Sequence, residues 1–249
     1  MTWSIDARIR RAAELRSRYP AAADLLAFYR ELALFQKPIF EALRSKHETD
    51  LRTLAAYFVP LLELVARCGP EGLADKGKGS LNLELLQAAW EDGGAHTPVS
   101  DPYLRFFTRV LLQPYAEYLA SRGDVSSEGA GATCPFCNAR PVAGVLRGEG
   151  DGAKRWLLCS LCSSEWVFRR VLCPGCGEEN KDKLPIYTAP EFKAVRVDAC
   201  DACQTYLKSV DLTKDGHAVP AVDEIATVAL NIWAEEHGYL KLETNLLGM

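Results

Sequence analysis

The sequence lacks long apolar runs and the common signatures of nucleotide-binding or hydrolytic enzymes. No apolar run approaches the ~18 residues expected of a membrane-spanning helix, so membrane insertion is not expected. The start, MTWSIDARIRRAAEL, carries charges throughout and has no apolar run typical of a secretory signal, so we expect a reducing compartment. No GxGxxG, Walker or GxSxG pattern is present. The sequence therefore proposes no catalytic centre, and we expect a protein that is not an enzyme.

Cysteine is concentrated in one region. Eight of the nine cysteines form four CxxC pairs: Cys134/Cys137, Cys159/Cys162, Cys173/Cys176 and Cys200/Cys203. A CxxC turn presents two thiolates on one side of a knuckle, and two facing knuckles complete the tetrahedron that zinc or a single iron prefers. No histidine lies between the first and last of these cysteines. The pattern predicts two metal ions per chain, iron or zinc, each held by four cysteines.

The spacing of the pairs indicates which of them meet. The first two pairs are separated by 21 residues, the second and third by 10, and the third and fourth by 23. A separation near ~20 residues suits a zinc-ribbon or rubredoxin-like unit, in which a hairpin leaves and returns between two knuckles. This favours two consecutive units. An interleaved arrangement, with the first pair meeting the third and the second meeting the fourth, stays open.

Other roles for these cysteines are less consistent with the pattern. The prolines inside CPFC and CPGC also occur in dithiol oxidoreductases, but such enzymes need one CxxC at the start of a helix and not four in tandem. Iron–sulfur signatures usually bring three cysteines close together in sequence, which this chain does not do. The ninth cysteine, Cys68, is interpreted as a structural thiol.

The first half of the chain has the pattern of a helical domain. Residues 1–122 carry apolar side chains at three- and four-residue spacing, as at Phe28, Tyr29 and Leu32. A helix is predicted to start at Asp101-Pro102. The glycine-rich segment 123–133 is interpreted as a linker.

The second half predicts short strands around the knuckles. Residues 134–213 contain six short β-rich runs, PVAGVLR, RWLLCSLC, EWVFRRVLC, LPIYTA, FKAVRVDAC and TYLKSVDL. Each unit of about forty residues is too small for a sufficient core of its own, so metal binding would stabilise it. Residues 219–249 are predicted to form one amphipathic helix, ending at Gly238, and a tail. The expected fold class is α+β: a helical domain, two tandem four-cysteine units and a C-terminal helix that packs back.

Charge argues against a nucleic-acid-binding ribbon. Residues 134–213 hold eleven Lys and Arg against ten Asp and Glu, and eight thiolates with two divalent ions bring the balance to −3. A nucleic-acid module usually presents a basic stripe. The whole chain is also negative, at −4.

The knuckles and their surroundings resemble the formate dehydrogenase accessory proteins, the FdhE family. The resemblance covers roughly residues 134–245 and rests on CPFCNARPVAGVL, LLCSLCSSEWVFRRVLCPGC, DACDACQTYLKSVDL and the helix PAVDEIATVALNIWAEEHGY. Family members commonly carry histidine where this chain has Val167, and glycine where it has Asn138, Ser163 and Gln204. Asn tolerates the left-handed backbone of such turns better than Ser or Gln does.

The resemblance implies a cytoplasmic accessory protein that binds the molybdenum- or tungsten-containing catalytic subunit of a formate dehydrogenase during maturation. It also implies paired rubredoxin folds associated with iron. Two other hypotheses stay open, a redox-active metalloprotein or thiol-disulfide enzyme, and a nucleic-acid-binding zinc ribbon. The expected partner is the catalytic subunit, with no nucleic acid and no membrane insertion, and a homodimer is left open.

Overall fold

The N-terminal part of the protein is a layer of helices. The computed structural model describes residues 4–79, 81–91, 101–123, 131–150 and 152–249, so residues 124–130 of the predicted linker lie outside the described residues. The helices are α1 (Ile5–Arg18), α2 (Ala23–Lys46), α3 (Phe58–Cys68), α4 (Leu73–Gly77), α5 (Leu83–Glu91) and α6 (Pro102–Ser121). Asp101 caps α6 by accepting a hydrogen bond from the backbone N–H of Tyr103, as the sequence predicts. Among the described residues, no helix combines the length and apolarity needed to cross a membrane.

The knuckle region forms one mixed sheet. Its strands in the described residues are β1 (Pro141–Glu149), β2 (Gly152–Cys159), β3 (Glu165–Val167), β4 (Ile186–Thr188), β5 (Val195–Cys200), β6 (Thr205–Asp211) and β7 (Leu240–Lys241). The order is β3-β2-β1-β6-β5-β4, and β7 pairs with β6. Strands β1 to β3 make an antiparallel meander around the first two CxxC pairs, and β4 to β6 make another around the last two. The α+β fold class is confirmed.

A short parallel pairing joins the two meanders. Strand β1 pairs with β6 through Gly144↔Ser209, Val145↔Val210 and Leu146↔Asp211. A Cβ atom at Gly144 would lie 2.1 Å from the Ser209 hydroxyl oxygen, so the strands approach this closely only because position 144 has no side chain. The two metal units are therefore halves of one sheet and not two independent units.

The helical layer and the first metal unit share one apolar core. That core includes Leu32 of α2, Phe107 of α6, Trp166 of β3, and Ile225 near the C-terminus. The second unit packs a smaller core of its own, with Val197 among its buried members. The domain boundaries predicted at residues 122 and 134 separate two kinds of secondary structure, whereas the core continues across them. The boundaries themselves stay predictions.

Buried ion pairs join α1 to distant parts of the chain. Arg8 pairs with Glu117 of α6 at 2.7 Å, and both side chains are almost fully buried. Arg11 pairs with Asp223 at 2.6 Å, across more than two hundred residues of sequence. Each pair fixes α1 to a residue that is distant in sequence, and no local sequence pattern predicts these partners. Breaking such a pair leaves a buried charge without its counter-charge, which costs about 3–5 kcal/mol.

The C-terminal helix is divided into two. The sequence predicts one helix ending at Gly238, but the structure has α7 (Pro220–Ala226) and α8 (Val228–Glu236), with Thr227 between them. The ammonium of Lys208 donates hydrogen bonds to the backbone oxygens of Glu224 and Thr227. Because a buried lysine takes carbonyl oxygens that a continuous helix would use internally, the helix is interrupted there.

Glu224 is the centre of a fully buried charge cluster. Its carboxylate lies 2.9 Å from the ammonium of Lys208, contacts that of Lys241, and accepts a hydrogen bond from the Asn245 amide at 2.7 Å. Burial raises the pKa of Glu224, but the two ammonium groups outweigh it and hold the pKa at about 2. Burial also lowers the pKa of Lys208, to about 8.

Replacing Glu224 with glutamine is expected to lower the free energy of unfolding by about 3 kcal/mol at neutral pH, because two lysines lose their counter-charge. The pKa of Glu224 is depressed from its ordinary 4.5, so the stabilisation is present above that pH and is lost as pH falls toward 2. Urea unfolding measured between pH 4.5 and pH 2 should therefore show the difference in free energy of unfolding between wild type and Glu224→Gln decreasing as the pH falls. The exposed Glu236→Gln is the control, and an equal loss in both variants would contradict the expectation.

Candidate metal centres

The first four-cysteine cluster is built from the turn before β1 and the turn after β2. Sγ atoms of Cys134, Cys137, Cys159 and Cys162 all lie within 4.8 Å of one another. Two of the Sγ–Sγ distances across the knuckles are 3.5 Å, from Cys134 to Cys162, and 3.4 Å, from Cys137 to Cys159. Three of these cysteines are buried and Cys137 is half-buried.

The second cluster repeats this plan in the second meander. Sγ atoms of Cys173, Cys176, Cys200 and Cys203 also lie within 4.8 Å of one another. Cys173 and Cys203 are 3.7 Å apart, as are Cys176 and Cys200. The pairing of knuckles is the consecutive one that the spacing favours, and the interleaved arrangement is not found.

Both clusters have the dimensions of a tetrahedral thiolate site. With metal–sulfur bonds of about 2.3 Å, the sulfurs of such a site lie ~3.8 Å apart, close to the distances found here. A disulfide would bring two sulfurs to about 2.05 Å, and all nine cysteines are free. The donor set therefore fits a metal ion such as iron or zinc, and it does not distinguish the two.

The thiols need a cation to ionise together. Burial raises the pKa of Cys159, and it raises the pKa of Cys200 to about 12. Several adjacent thiolates would also repel one another. A divalent ion at the centre opposes both effects, because its charge favours the deprotonated ligands.

Each knuckle ends in a left-handed residue. The residue after the second cysteine has a positive φ in all four knuckles: 59° at Asn138, 55° at Ser163, 79° at Gly177 and 54° at Gln204. The chain reverses there, so the backbone N–H of the first cysteine can reach the oxygen of the residue five positions later. The backbone N–H of Cys134, for example, donates to the oxygen of Ala139 at 2.9 Å. This geometry explains why glycine suits these positions, and only one of the four has it here.

Two hydroxyl groups support the clusters at equivalent places. Ser164 and Thr205 each stand two residues after the second cysteine of a knuckle, and their hydroxyl oxygens lie 3.2 Å from Cys162 Sγ and 3.0 Å from Cys203 Sγ. A hydroxyl at this distance can donate to a metal-bound thiolate and orient it. Sequence reasoning missed both residues, although the repeated pattern CxxC-x-Ser/Thr is visible in the sequence.

Helix α6 holds the first cluster. Arg109 donates to the backbone oxygen of Ser160, inside the second knuckle, at 3.1 Å. The hydroxyl of Ser163 donates to Glu117 at 2.6 Å, and Glu117 is the partner of Arg8 in α1. The knuckle is thus attached to two helices by side chains that are themselves buried.

The second cluster is open to solvent by comparison. Cys176 is exposed and Cys203 half-buried, while Cys173 and Cys200 are buried. The two centres therefore differ in access although their ligand sets are identical.

The remaining residues that the sequence analysis singled out lie apart from the clusters. Cys68 ends α3, is half-buried, and its thiol contacts the backbone oxygen of Leu64 at 3.1 Å. Val167, at the position where the resemblance implies histidine, closes strand β3 and is half-buried.

Two family models match the metal-binding half of the chain. One, described as FdhE, central domain, matches residues 133–170, and the other, described as FdhE, C-terminal domain, matches residues 171–247. The boundary between them falls between the second and third CxxC pairs. Each model therefore covers one four-cysteine cluster.

Similar proteins carry the name protein FdhE homolog. The one from Aquifex aeolicus (strain VF5) is 32% identical over 209 residues, covering 81% of this chain and 72% of that protein. The one from Edwardsiella ictaluri is 37% identical over 199 residues, covering 79% and 61%. The one from Pseudomonas aeruginosa is 41% identical over 120 residues, covering 46% and 38%. The chain thus spans less than two thirds of the last two proteins.

The fold is shared with a solved structure. The crystal structure of the FdhE protein from Pseudomonas aeruginosa matches with a TM-score of 0.73 over 99% of this chain and 97% of that chain, at 23% sequence identity. The helical layer is therefore part of the shared fold, and the similarity extends beyond residues 134–245.

Glycine at position 204 is expected to stabilise the protein, because Gln204 has φ 54° and a side chain in this region costs about 1 kcal/mol. Gln204→Gly should raise the free energy of unfolding by roughly 0.5 kcal/mol in the metal-loaded protein, because the hydrogen bond that it removes, from the Gln204 amide to the backbone oxygen of Asp201 at 2.8 Å, is exposed to solvent and contributes little. Ser163→Gly, at φ 55°, is the informative comparison, because it also removes the hydrogen bond to buried Glu117. It should give no gain, and equal gains in the two variants would contradict this account.

A chelator is expected to remove the two metal ions at different rates, because only the second cluster exposes a ligand. In Cys134→Ser the ion that remains should leave fast, whereas in Cys173→Ser it should leave slowly. Elemental analysis of samples taken during incubation with EDTA measures both rates. Cys68→Ser should behave as wild type, and equal rates in the two cluster variants would refute the difference in access.

Proposed function

The chain belongs to the FdhE family, and on that premise we propose that it is an accessory protein for the maturation of a formate dehydrogenase. The observation that carries the proposal is the pair of four-cysteine clusters built into one sheet. Four thiolates fill a tetrahedral coordination sphere and leave no position for a substrate. Such centres act as scaffolds, so the protein works by binding another protein and is not an enzyme.

We propose that the eight clustered cysteines hold two ions per chain, iron or zinc. A bound ion would cross-link two knuckles, and iron would add a one-electron couple. The chain's own residues complete each centre. The hydroxyls of Ser164 and Thr205 orient one thiolate each, and Arg109 and Glu117 fix the second knuckle on the helical layer.

The proposed client is the catalytic subunit of the dehydrogenase, met in the cytoplasm. This partner follows from the family and from the sequence resemblance. The charge of the chain, −4, supports a protein client over nucleic acid. The extended sheet offers a surface whose loops are held in place by the metal ions.

A redox-active metalloprotein is the second candidate, because the exposed Cys176 opens the second centre to a reaction partner. An absorption spectrum of protein purified without air separates the cases. Ferric iron bound by four thiolates is coloured and bleaches on reduction, while zinc is silent.

Purification of the tagged protein from its native host is expected to recover the catalytic subunit of a formate dehydrogenase. Cys159→Ser and Cys200→Ser should each weaken the recovery by roughly tenfold or more, because the unit that loses its ion unfolds. Cys68→Ser is the matched control and should recover the subunit as wild type does.

The function would be rejected by two results. One is recovery of nucleic acid in place of the dehydrogenase. The other is normal dehydrogenase activity in cells that lack this protein. The purified protein alone should not oxidise formate.

A further inference from the structure

A cavity of about 220 Å³ lies beside the second metal centre. It is lined by the cysteines that open the third and fourth knuckles, Cys173 and Cys200, and by Arg155 of β2. It therefore lies where the two halves of the sheet meet. Its volume suits one or two large side chains and is below the ~300 Å³ typical of drug-sized ligand sites.

The wall of the cavity is apolar and continues onto exposed apolar side chains. Leu172, Leu184 and Leu207 line it, and Val171 and Ile186 stand at its edge. Val171 is 47% and Ile186 53% exposed. Large aliphatic side chains at this exposure, next to a concave apolar wall, are the features of a contact site for another protein.

Cations surround this apolar wall. Four basic side chains line the cavity: Arg155, Arg170, Lys181 and Arg196. One carboxylate, Asp198, faces them, and it lies 2.7 Å from Arg196 and 3.6 Å from Arg155. Among the described residues, neither Lys181 nor Arg170 has an ion-pair partner, and Arg170 donates to the backbone oxygen of Ala153 at 3.2 Å. Donors for an anion therefore remain.

The charge of the cavity is opposite to that of the protein. Four cations and one carboxylate give +3, and a divalent ion with four thiolates reduces this to +1. The whole chain carries −4. A local positive potential on a negative protein selects an anionic partner and steers its approach.

We propose that this cavity binds a peptide segment in which a large apolar side chain is flanked by Asp or Glu. The apolar side chain enters between the leucines, and the carboxylates meet Arg170, Lys181 and Arg196 at the rim. The apolar wall favours such a peptide over nucleic acid, whose phosphates would use only the rim. The composition of the peptide is inferred from the residues that line the cavity. Its assignment to a segment of the dehydrogenase rests on the proposed function.

A displayed library of random peptides tests the proposal on the full, metal-loaded chain. Selection should enrich sequences with Leu, Ile or Phe next to Asp or Glu. Labelled peptides of the consensus should then bind about tenfold more weakly, by fluorescence anisotropy, to Arg170→Glu/Lys181→Glu. A control with the same change of charge is Arg10→Glu/Lys46→Glu, two exposed positions in the helical layer.

A second pair of variants tests the apolar part. Ile186→Ser should weaken binding by about tenfold, since burial of one such side chain contributes about 1.5 kcal/mol or more. Ile232→Ser on α8 is the matched control, because Ile232 is 54% exposed and lies away from the cavity. Elemental analysis should show two ions in every variant.

Several results would overturn the inference. These are an absence of enrichment, a consensus without acidic residues, and equal binding by the cavity variants and their controls. Loss of metal in Arg170→Glu/Lys181→Glu without any change in peptide affinity would mean that the cations only neutralise the centre. Binding of a single-stranded oligonucleotide that these variants abolish, with no enriched peptide, would assign the cavity to nucleic acid. If the dehydrogenase still co-purifies with the cavity variants, the proposed function stands and the docking of its segment here is wrong.

Discussion

The architecture depends on the parallel pairing of β1 with β6. Three residue pairs place the two meanders side by side, and the absence of a side chain at Gly144 permits the close approach to Ser209. Without this pairing the second meander would be a small unit held mainly by its metal ion. With it, the second unit continues a sheet whose first half shares the core of the helical layer. The cavity beside the second centre also exists because the pairing brings Arg155 of the first meander next to the second.

Local patterns predicted the parts of this protein well. The eight clustered cysteines, their consecutive pairing, the start of α6 at Pro102 and the six strand runs all follow from short-range spacing and composition. Partners distant in sequence could not be predicted in this way. Arg8 and Glu117, or Lys208 and Glu224, are ordinary charged residues in ordinary helical or strand patterns, and only the packed fold makes them buried pairs. The break at Thr227 has the same origin, because its cause is a lysine on a neighbouring strand.

The difference in solvent exposure between the two centres could not be predicted from the sequence either. Their ligand patterns are the same, and burial of a cysteine depends on what packs over its knuckle. Helix α6 covers the first cluster through Arg109 and Glu117, whereas Cys176 of the second faces solvent. The hydroxyls of Ser164 and Thr205 were within reach of sequence reasoning, because they stand at equivalent places in the two units. Their role could be recognised only once the sulfur atoms were located.

The attachment of the second unit has a consequence for local motion. The first unit shares the main core, and β6 of the second unit joins it through Leu207 and is held to α7 by Lys208. Strand β4 lies at the edge of the sheet and pairs with β5, which packs in the smaller core. Local opening follows the weakest boundary, so the outer strands β4 and β5 can open while β6 and the helical layer stay folded. Amide hydrogens of β4 and β5 would then exchange with solvent through this partial opening, and those of α6 only through global unfolding. The outer edge of the second unit is thus the part of the protein that opens most easily.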